Sequence, residues 1–270
     1  MKIAILGGGR LGGALVRGML AAGITSGERI TISSSSPSKA VAVATDLGVT
    51  PSASNIDAVK DADAIFLCVK PAKALGVVEQ IAGHVSGKLL ISVVTGVKSS
   101  DLLRASGNCA RIIRAMPNTA VRLRSGITAI APDASSTTAD LETATRLFSS
   151  VGSGIVVSEN HLDTVTAVNG SAPAFALLML EALMQGGMEG GLSEEVSRIF
   201  AAGALATAAT LANGSGESPM ALRAEITSPG GTTAAGLQVL EDADFTKAIR
   251  GAVHAAKSRA VELSGQFQKG

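Results

Sequence analysis

The feature that most constrains this chain is a glycine-rich sequence close to its first residue. The apolar run Ile3–Leu6 leads into Gly7-Gly8-Gly9-Arg10-Leu11-Gly12, and a helical pattern covers Leu11–Ala22. A strand, a G-x-G-x-x-G turn and a helix in this order are typical of a dinucleotide-binding unit. The glycines permit the tight turn, the close approach of a pyrophosphate and the packing of helix on strand. We therefore expect cofactor phosphates at this helix N-terminus, in contact with Leu6, Gly7, Gly8, Gly9, Arg10, Leu11 and Gly12.

The turn belongs to a longer alternation of strand-like and helix-like segments. Short apolar runs occur at Ile3–Leu6, Ile30–Ser33, Ala64–Val69, Leu89–Val93, Ala110–Arg114, Ile127–Ile130 and Gly154–Val157. Helical periodicity lies between several of them, at Leu11–Ala22, Ala72–Ile81 and Thr138–Val151. This alternation predicts βαβ units and a mainly parallel sheet, an α/β fold of the Rossmann type.

The second half of the chain has a different pattern. From His161 onward we find no strand signal, and Ala- and Leu-rich helical segments are separated by turn signals. The predicted helices are Leu162–Gln185, Ser193–Leu211, Ser218–Glu225, Thr232–Leu240 and Phe245–Leu263. We therefore predict a Rossmann NAD(P)-binding domain over residues 1–158 and an all-helical domain over residues 159–270.

Small residues fill the predicted helices of the second half. Gly170, Ala172, Ala174 and Ala176 open the first long helix. A helix that is apolar on all sides has to be buried. We expect a homo-oligomer, a dimer or a dimer-based assembly, in which the helical domain forms the interface. A well-packed monomeric bundle is the alternative.

The end of the second strand bears on the choice of dinucleotide. NAD sites usually carry an acid there for the ribose 2′-hydroxyl. Here Ser33, Ser34 and Ser35 follow Ile32, and the next acid is Asp46. Because no carboxylate repels a 2′-phosphate, we expect NADPH, with NADH as the other possible cofactor. Further phosphate partners would be Arg10 and Lys39.

Composition narrows the remaining classes of function. The net charge is +1 and Trp and Tyr are absent, which argues against nucleic acid and membrane surfaces as partners. The two cysteines form no C-x-x-C motif, and the first residues do not resemble a signal peptide, so we expect a cytoplasmic protein. The three histidines are scattered, and we expect no metal site.

Several motifs together resemble one enzyme family over essentially the whole chain. They are Phe66-Leu67-Cys68-Val69-Lys70-Pro71, Ile91-Ser92-Val93-Val94-Thr95-Gly96-Val97, Arg114-Ala115-Met116-Pro117-Asn118-Thr119, Leu162-Asp163-Thr164-Val165-Thr166-Ala167 and, most specific, Thr227-Ser228-Pro229-Gly230-Gly231-Thr232-Thr233-Ala234-Ala235-Gly236. On the basis of these motifs, the sequence resembles the pyrroline-5-carboxylate reductase family. Where that family usually has Ser-Gly-Ser-Gly-Pro-Ala, this chain has a different run, with Asn169 and Ala172 at the first and fourth places.

The resemblance implies NAD(P)H-dependent reduction of 1-pyrroline-5-carboxylate to L-proline. By it, Thr233 donates a hydrogen bond to the imine nitrogen and is the catalytic residue. The implied substrate-binding residues are Glu159, Glu225, Ser228, Gly230, Gly231, Thr232 and Thr233. The implied cofactor contacts beyond the first strand are Ser33, Ser34, Ser35, Asn55, Cys68, Val69, Lys70, Pro71, Val94, Thr95 and Gly96.

The residues of the Ser228–Thr233 loop suit that role on physical grounds as well. Pro229 cannot continue a helix, and Gly230 and Gly231 free the backbone to turn and to approach a ligand closely. Such a loop can direct several amides towards a small carboxylate at the start of the next helix. An ordinary helix–helix turn with a threonine N-cap explains the same residues.

Two other functions stay open at this point. One is a Rossmann dehydrogenase for β-hydroxyacids, whose first long interdomain helix carries a catalytic lysine. The segment from Asn169 to Glu181 has no lysine, which argues against it. The other is a paralogue that binds nucleotide without catalysis, and retention of the full Ser228–Thr233 loop argues against that.

Overall fold

The structure is a computed structural model that describes residues 1–266. Its sheet has eight strands in the order β3-β2-β1-β4-β5-β6-β7-β8 among those residues. The strands are β1 Ile3–Leu6, β2 Ile30–Ser33, β3 Thr50–Pro51, β4 Ala64–Leu67, β5 Leu89–Ser92, β6 Arg111–Pro117, β7 Gly126–Pro132 and β8 Gly152–Val156. Neighbouring strands are parallel except β6 and β7, which pair antiparallel. The predicted mainly parallel α/β sheet is confirmed.

Helices cover the strands in the first part of the chain. They are α1 Arg10–Ala21, α2 Pro37–Leu47, α3 Asn55–Val59, α4 Ala74–Ile81, α5 Ser99–Ala105 and α6 Thr138–Ser149. Strands β1, β4 and β5 are buried along their whole length, as expected of apolar strands with helices on both faces. Two large apolar clusters, one around Phe66 and one around Leu67, and a small third cluster around Leu162 form the core.

The strand order reverses between β1 and β4. The chain runs from β1 to β2 and β3 in one direction and then returns to place β4 on the other side of β1. Leu6 and Leu67, the last residues of these two strands, lie side by side. In an open α/β sheet, ligands bind at the carboxyl ends of the strands at such a reversal. The glycine turn begins at this position.

The chain from Leu162 onward is helical as far as the structure describes it. The helices are α7 Leu162–Val165, α8 Ala172–Glu189, α9 Glu194–Gly214, α10 Pro219–Glu225, α11 Thr232–Asp242 and α12 Phe245–Gln266. A π-helical stretch, Thr166–Ser171, joins α7 to α8. The predicted all-helical second half is confirmed, but its π-helical stretch was not anticipated.

Contacts divide the chain into two compact units. The first unit comprises residues 1–170 and the segment that begins at Ala256, and the second unit comprises residues 171–255. The first unit continues past residue 158 because Asp163 and Asn169 hydrogen-bond to groups within it. The domain boundary at residue 158 stays a prediction.

The second unit buries very little of itself. Within α8, α9, α10 and α11 the buried residues are Ser197 and Ala201. The exposed apolar side chains include Leu177, Leu178, Leu183, Ile199, Phe200, Met220, Val239 and Leu240. A groove of 490 Å³ between α8 and α12 is lined by apolar residues such as Phe175, Met179 and Ile249. Apolar surface of this extent marks an interaction site.

One continuous helical stretch also meets the length and hydropathy expected of a membrane span. It is Glu159–Glu189, and only 6% of its most apolar 18-residue segment is buried. Length and composition alone are weak grounds for a membrane helix, since interface helices share them. The expectation that membranes are not partners stays a prediction.

Candidate active site

The three predicted fingerprint glycines have different structural roles. Gly7 has φ +110°, and a Cβ placed on it would lie 2.6 Å from the Cys68 carbonyl oxygen. A Cβ on Gly12 would lie 2.3 Å from the Gly7 carbonyl oxygen. A Cβ on Gly9 would meet no protein atom within 4 Å. Gly7 and Gly12 are therefore required for the turn to fold, whereas Gly9 leaves open space for a ligand.

The glycine turn presents unpaired amides. The amides of Gly7 and Gly8 both donate to the Ser33 carbonyl oxygen, at 3.1 and 3.0 Å. The first hydrogen bond of α1 runs from the Gly13 amide to the Gly9 carbonyl oxygen, at 2.9 Å. The amides before it have no partner in the described part of the chain, as is usual at a helix start. They belong to Gly9, Arg10, Leu11 and Gly12.

Beyond β2, the predicted adenosine end of the site contains a polar side-chain network. The Ser33 hydroxyl donates to Asn55 Oδ1 at 2.6 Å, and Asn55 Nδ2 donates to Gln80 Oε1 at 2.8 Å. Ser33 is buried, so its hydroxyl is committed within the protein. Ser34 and Ser35, which have exposed surface, are the serines in a position to meet a 2′-phosphate.

The residues after β4 line the other side of the glycine turn. The Cys68 amide donates to the Leu6 carbonyl oxygen at 2.8 Å, which continues the β1–β4 pairing by one residue. Burial raises the pKa of the Cys68 thiol to about 12, so it stays neutral and is no nucleophile. A short 3-10 turn, Pro71–Lys73, then leads into α4, and the exposed Lys70 precedes it.

The loop between β5 and α5, residues 93–98, contains the three residues predicted near the nicotinamide: Val94, Thr95 and Gly96. The Thr95 hydroxyl points to the Met116 sulfur at 3.8 Å. Gly96 has φ +82°, and a Cβ on it would lie 3.2 Å from the Ser264 amide nitrogen in α12. The loop is therefore enclosed by β6 on one side and by the end of α12 on the other.

Glu159, predicted to bind substrate, is held by two groups of the first unit. Its Oε1 accepts from the Ser99 amide at 2.8 Å and from the Arg114 guanidinium at 2.9 Å. The Arg114 side chain is 8% exposed and the Glu159 side chain 31%. Sequence reasoning did not anticipate these contacts, because 60 residues separate Ser99 from Glu159. Its role towards substrate stays a prediction.

Asn169, which departs from the family pattern, joins the π-helical stretch to the sheet. Its Nδ2 donates to the carbonyl oxygens of Ile127 and Met116, at 2.8 and 3.4 Å. Its Oδ1 accepts from Asn118 Nδ2 at 3.1 Å. A serine hydroxyl has one donor and could not make all three bonds. No sequence signal had pointed to this pairing of two distant asparagines.

In the second unit, the Ser228–Thr233 loop forms a tight turn ahead of α11. Gly230 has φ +71°, and the Gly231 amide donates to the Ser228 carbonyl oxygen at 3.1 Å. Gly231 is the N-cap of α11, and no side chain caps that helix in the described part of the chain. The interpretation of these threonines as helix caps is therefore wrong. Thr232 and Thr233 occupy the first two helical positions and are exposed.

Three amides at the start of α11 have no partner among the residues that the structure describes. Its first backbone hydrogen bond runs from the Ala235 amide to the Gly231 carbonyl oxygen, at 3.1 Å. The preceding amides, those of Thr232, Thr233 and Ala234, point away from the helix and carry the positive end of its dipole. A carboxylate suits such a position without an arginine.

Two further predictions, that Glu225 contacts substrate and that the chain has no metal site, are not tested. Glu225 is the last residue of α10 and is exposed, and its contact with substrate stays a prediction. Among residues 1–266, no three His, Cys, Asp or Glu side chains come together as metal ligands would.

Comparison with known proteins decides the family. Residues 159–263 match the model "Pyrroline-5-carboxylate reductase dimerisation", and residues 2–96 match "NADP oxidoreductase coenzyme F420-dependent". Pyrroline-5-carboxylate reductase 2 of Bacillus subtilis is 32% identical over 267 residues, which cover 98% of this chain and 96% of the relative. The chain belongs to the pyrroline-5-carboxylate reductase family. The resemblance inferred from the sequence motifs is confirmed.

Solved structures of this family have the same fold. The reductase of Coxiella burnetii superimposes with a TM-score of 0.89 at 31% identity, covering 97% of this chain and 98% of that one. The reductase of Plasmodium falciparum, solved with NADP bound, superimposes with a TM-score of 0.88 at 28% identity, covering 98% of both chains. The bound NADP in that relative and the NADP oxidoreductase model agree with the cofactor expected here.

Proposed function

We propose that this chain reduces 1-pyrroline-5-carboxylate to L-proline with NADPH as the hydride donor. The observation that carries the proposal is full-length similarity to reductases of this name, at about one-third identity. Two features support it on physical grounds. The first unit has a glycine turn with free amides at the strand reversal, and the second unit has a glycine loop with free amides ahead of α11.

The first unit would bind the dinucleotide. The amides of Gly9, Arg10 and Leu11 suit the pyrophosphate, and the open space at Gly9 lets it approach the backbone. Ser34 and Ser35 suit the 2′-phosphate, since Ser33 is engaged with Asn55. The nicotinamide would lie at the carboxyl end of β5, by Val94, Thr95 and Gly96. When bound, NADPH supplies the hydride that the imine carbon accepts.

The second unit would hold the imino acid. The amides at the start of α11 suit its carboxylate, and the Thr233 hydroxyl donates a hydrogen bond to the imine nitrogen. That hydroxyl is free for this role because it does not cap the helix. Ser228, Gly230, Gly231 and Thr232 shape the loop, and Glu225 is a further proposed contact of the imino acid.

A single assay tests this function. NADPH absorbance is followed with pyrroline-5-carboxylate, and in parallel wells with NADH and with no imine. We expect oxidation that requires the imine, forms proline and is faster with NADPH. Cofactor binding without turnover would favour the non-catalytic paralogue instead. Oxidation of a β-hydroxyacid with NADP⁺, in the absence of imine reduction, would favour the other alternative.

The assembly is proposed to be a homodimer or a larger assembly of dimers. The matched dimerisation model covers residues 159–263, and the helices of the second unit have exposed apolar faces that a second copy would cover. A membrane is the alternative apolar partner to consider for α8. A vesicle-flotation assay distinguishes membrane binding from assembly with a second copy. The cytoplasm is the proposed compartment, in keeping with two free cysteines.

A further inference from the structure

The β5–α5 loop has an unusual anchor at its far end. Helix α5 begins after Lys98, whose side chain has no hydrogen-bond acceptor and therefore cannot cap it. The cap comes instead from Glu159, whose Oε1 accepts from the Ser99 amide at 2.8 Å. A carboxylate at this position also interacts favourably with the helix dipole. The path of the loop between β5 and α5 thus depends on a side chain outside both elements.

The capping carboxylate is itself held by a buried cation. Arg114 stands beside Ser92, the last residue of β5, in the sheet register. Its guanidinium donates to the same Glu159 oxygen at 2.9 Å, and its Nε has no partner among the described residues. Because a buried guanidinium needs a counter-charge, Arg114 fixes the position of Glu159.

We propose that Glu159 and Arg114 are positioning residues that hold the β5–α5 loop in place for hydride transfer. The inference rests on the proposed function, since it takes the nicotinamide to lie at Val94, Thr95 and Gly96. Glu159 is then a cap for α5 rather than a ligand of the imino acid. A small displacement of the loop changes the distance that the hydride must cross, and such displacements cost rate more than binding.

Two double variants isolate the cap at constant charge. Arg114→Met with Glu159→Gln removes both charges and keeps an acceptor for the Ser99 amide. Arg114→Met with Glu159→Leu removes both charges and the acceptor. We expect the second to have a kcat between about tenfold and a hundredfold below that of the first. We also expect a larger isotope effect with 4-deuterated NADPH in the second, and little change in KM for the imine in either.

A second ion pair on the same strand provides the matched control. Arg111 Nε donates to Asp140 Oδ2 at 2.8 Å, and Asp140 is buried. Arg111→Met with Asp140→Asn removes this pair, which lies at the first residue of β6. We expect it to lower the melting temperature and leave kcat and the isotope effect unchanged. Equal kinetics for the two Arg114/Glu159 double variants would overturn the proposal.

Two single variants test the alternative role of Glu159, which is direct binding of the imino acid. If its carboxylate binds the imino acid, Glu159→Gln alone raises KM for the imine, and Arg114→Lys, which keeps the carboxylate, does not. That result would also overturn the proposal. Failure of the proposed function itself is seen separately, as a wild-type protein that binds NADPH without oxidising it. In that case the role in hydride transfer fails with it, whereas equal kinetics of the two double variants in an active enzyme overturn that role alone.

Discussion

The two compact units of this chain differ in how much of their apolar side-chain surface they bury. The first unit encloses strands β1, β4 and β5 completely, and its core clusters contain most of the large aliphatic residues of those strands. In the second unit, α8, α10 and α11 contain no buried residue in the described structure. The first unit has the burial of a self-sufficient fold, whereas the second exposes apolar faces of the kind found at interaction sites.

This difference in burial corresponds to the different roles that we propose for the two units in the reaction. A dinucleotide site needs a rigid sheet edge and a fixed turn, which a complete core supplies. The loop ahead of α11, which we propose binds the substrate carboxylate, belongs to the unit whose burial is incomplete. Assembly and substrate binding are therefore expected to fail together, while cofactor binding stays with the first unit.

The largest expected effect comes from placing a charge on the exposed face of α8. Leu178 is 67% exposed and borders the apolar groove. Leu178→Glu should weaken assembly at least about 100-fold, because an uncompensated buried charge costs about 3–5 kcal/mol. The matched control is Val41→Glu in α2 of the first unit, where Val41 is 52% exposed. Sedimentation should show dissociation for the first variant only, and equal masses would break the comparison.

The next effect separates cofactor binding from folding within the first unit. Gly9→Val places a side chain in open space, so it should weaken NADPH binding roughly tenfold to a hundredfold, about 1–3 kcal/mol of steric cost, at an unchanged melting temperature. Gly12→Ala forces a Cβ against the Gly7 carbonyl oxygen and should lower the melting temperature. Titration and thermal unfolding of both variants test this. A Gly9→Val protein with wild-type affinity would remove the cofactor assignment.

We expect an effect of similar size from a substitution in the Ser228–Thr233 loop of the second unit. Thr233→Ala should lower kcat by one or two orders of magnitude, about 1.4–2.7 kcal/mol, because we propose that its hydroxyl hydrogen-bonds to the imine nitrogen in the transition state. Thr233→Ser keeps the hydroxyl and should recover much of the rate. Thr232→Ala is the neighbouring control and should change kcat less. An equally fast Thr233→Ala enzyme would leave the backbone amides as the donors to the imine nitrogen.

The smallest effect is a pH dependence of the first unit's stability. Burial opposes ionisation of Asp140, but hydrogen bonds from Arg111 and Thr137 and the charge of Arg111 outweigh it, so its pKa is lowered from 3.8. A lowered folded pKa gives stability that is full above pH 3.8 and is lost as the pH falls through the folded value. Asp140→Asn should therefore cost about 1 kcal/mol at neutral pH. In urea titrations that difference should shrink below pH 3.8, and a constant difference would contradict the mechanism.

Local patterns predicted most of the fold because each predicted element has a strong local signal. Ile3–Leu6 and the glycines that follow gave the first strand and turn, and long Ala-rich stretches gave α8 and α9. The two-residue strand Thr50–Pro51 was missed because a proline at a sheet edge has no strand pattern. The π-helical stretch Thr166–Ser171 was missed because its form depends on long-range bonds to Asn169.

The site was predicted less completely, for a physical reason. Sequence motifs identify backbone features such as the turn at Gly7 and the loop at Gly230, which depend on local geometry. They do not show which side chains are already occupied by the protein. The hydroxyl of Ser33 is engaged by Asn55, and Glu159 is engaged by Arg114 and the Ser99 amide. Such pairings connect residues far apart in the chain and become visible only in three dimensions.

We expect the second unit to need another copy of the chain to cover its apolar faces. The direct test is sedimentation of the wild-type protein over a range of low concentrations, with the rate of pyrroline-5-carboxylate reduction measured in the same samples. We predict that no folded monomer is present wherever the enzyme is active, and that activity falls in proportion to any dissociation. A stable folded monomer that reduces pyrroline-5-carboxylate at the full rate would contradict it.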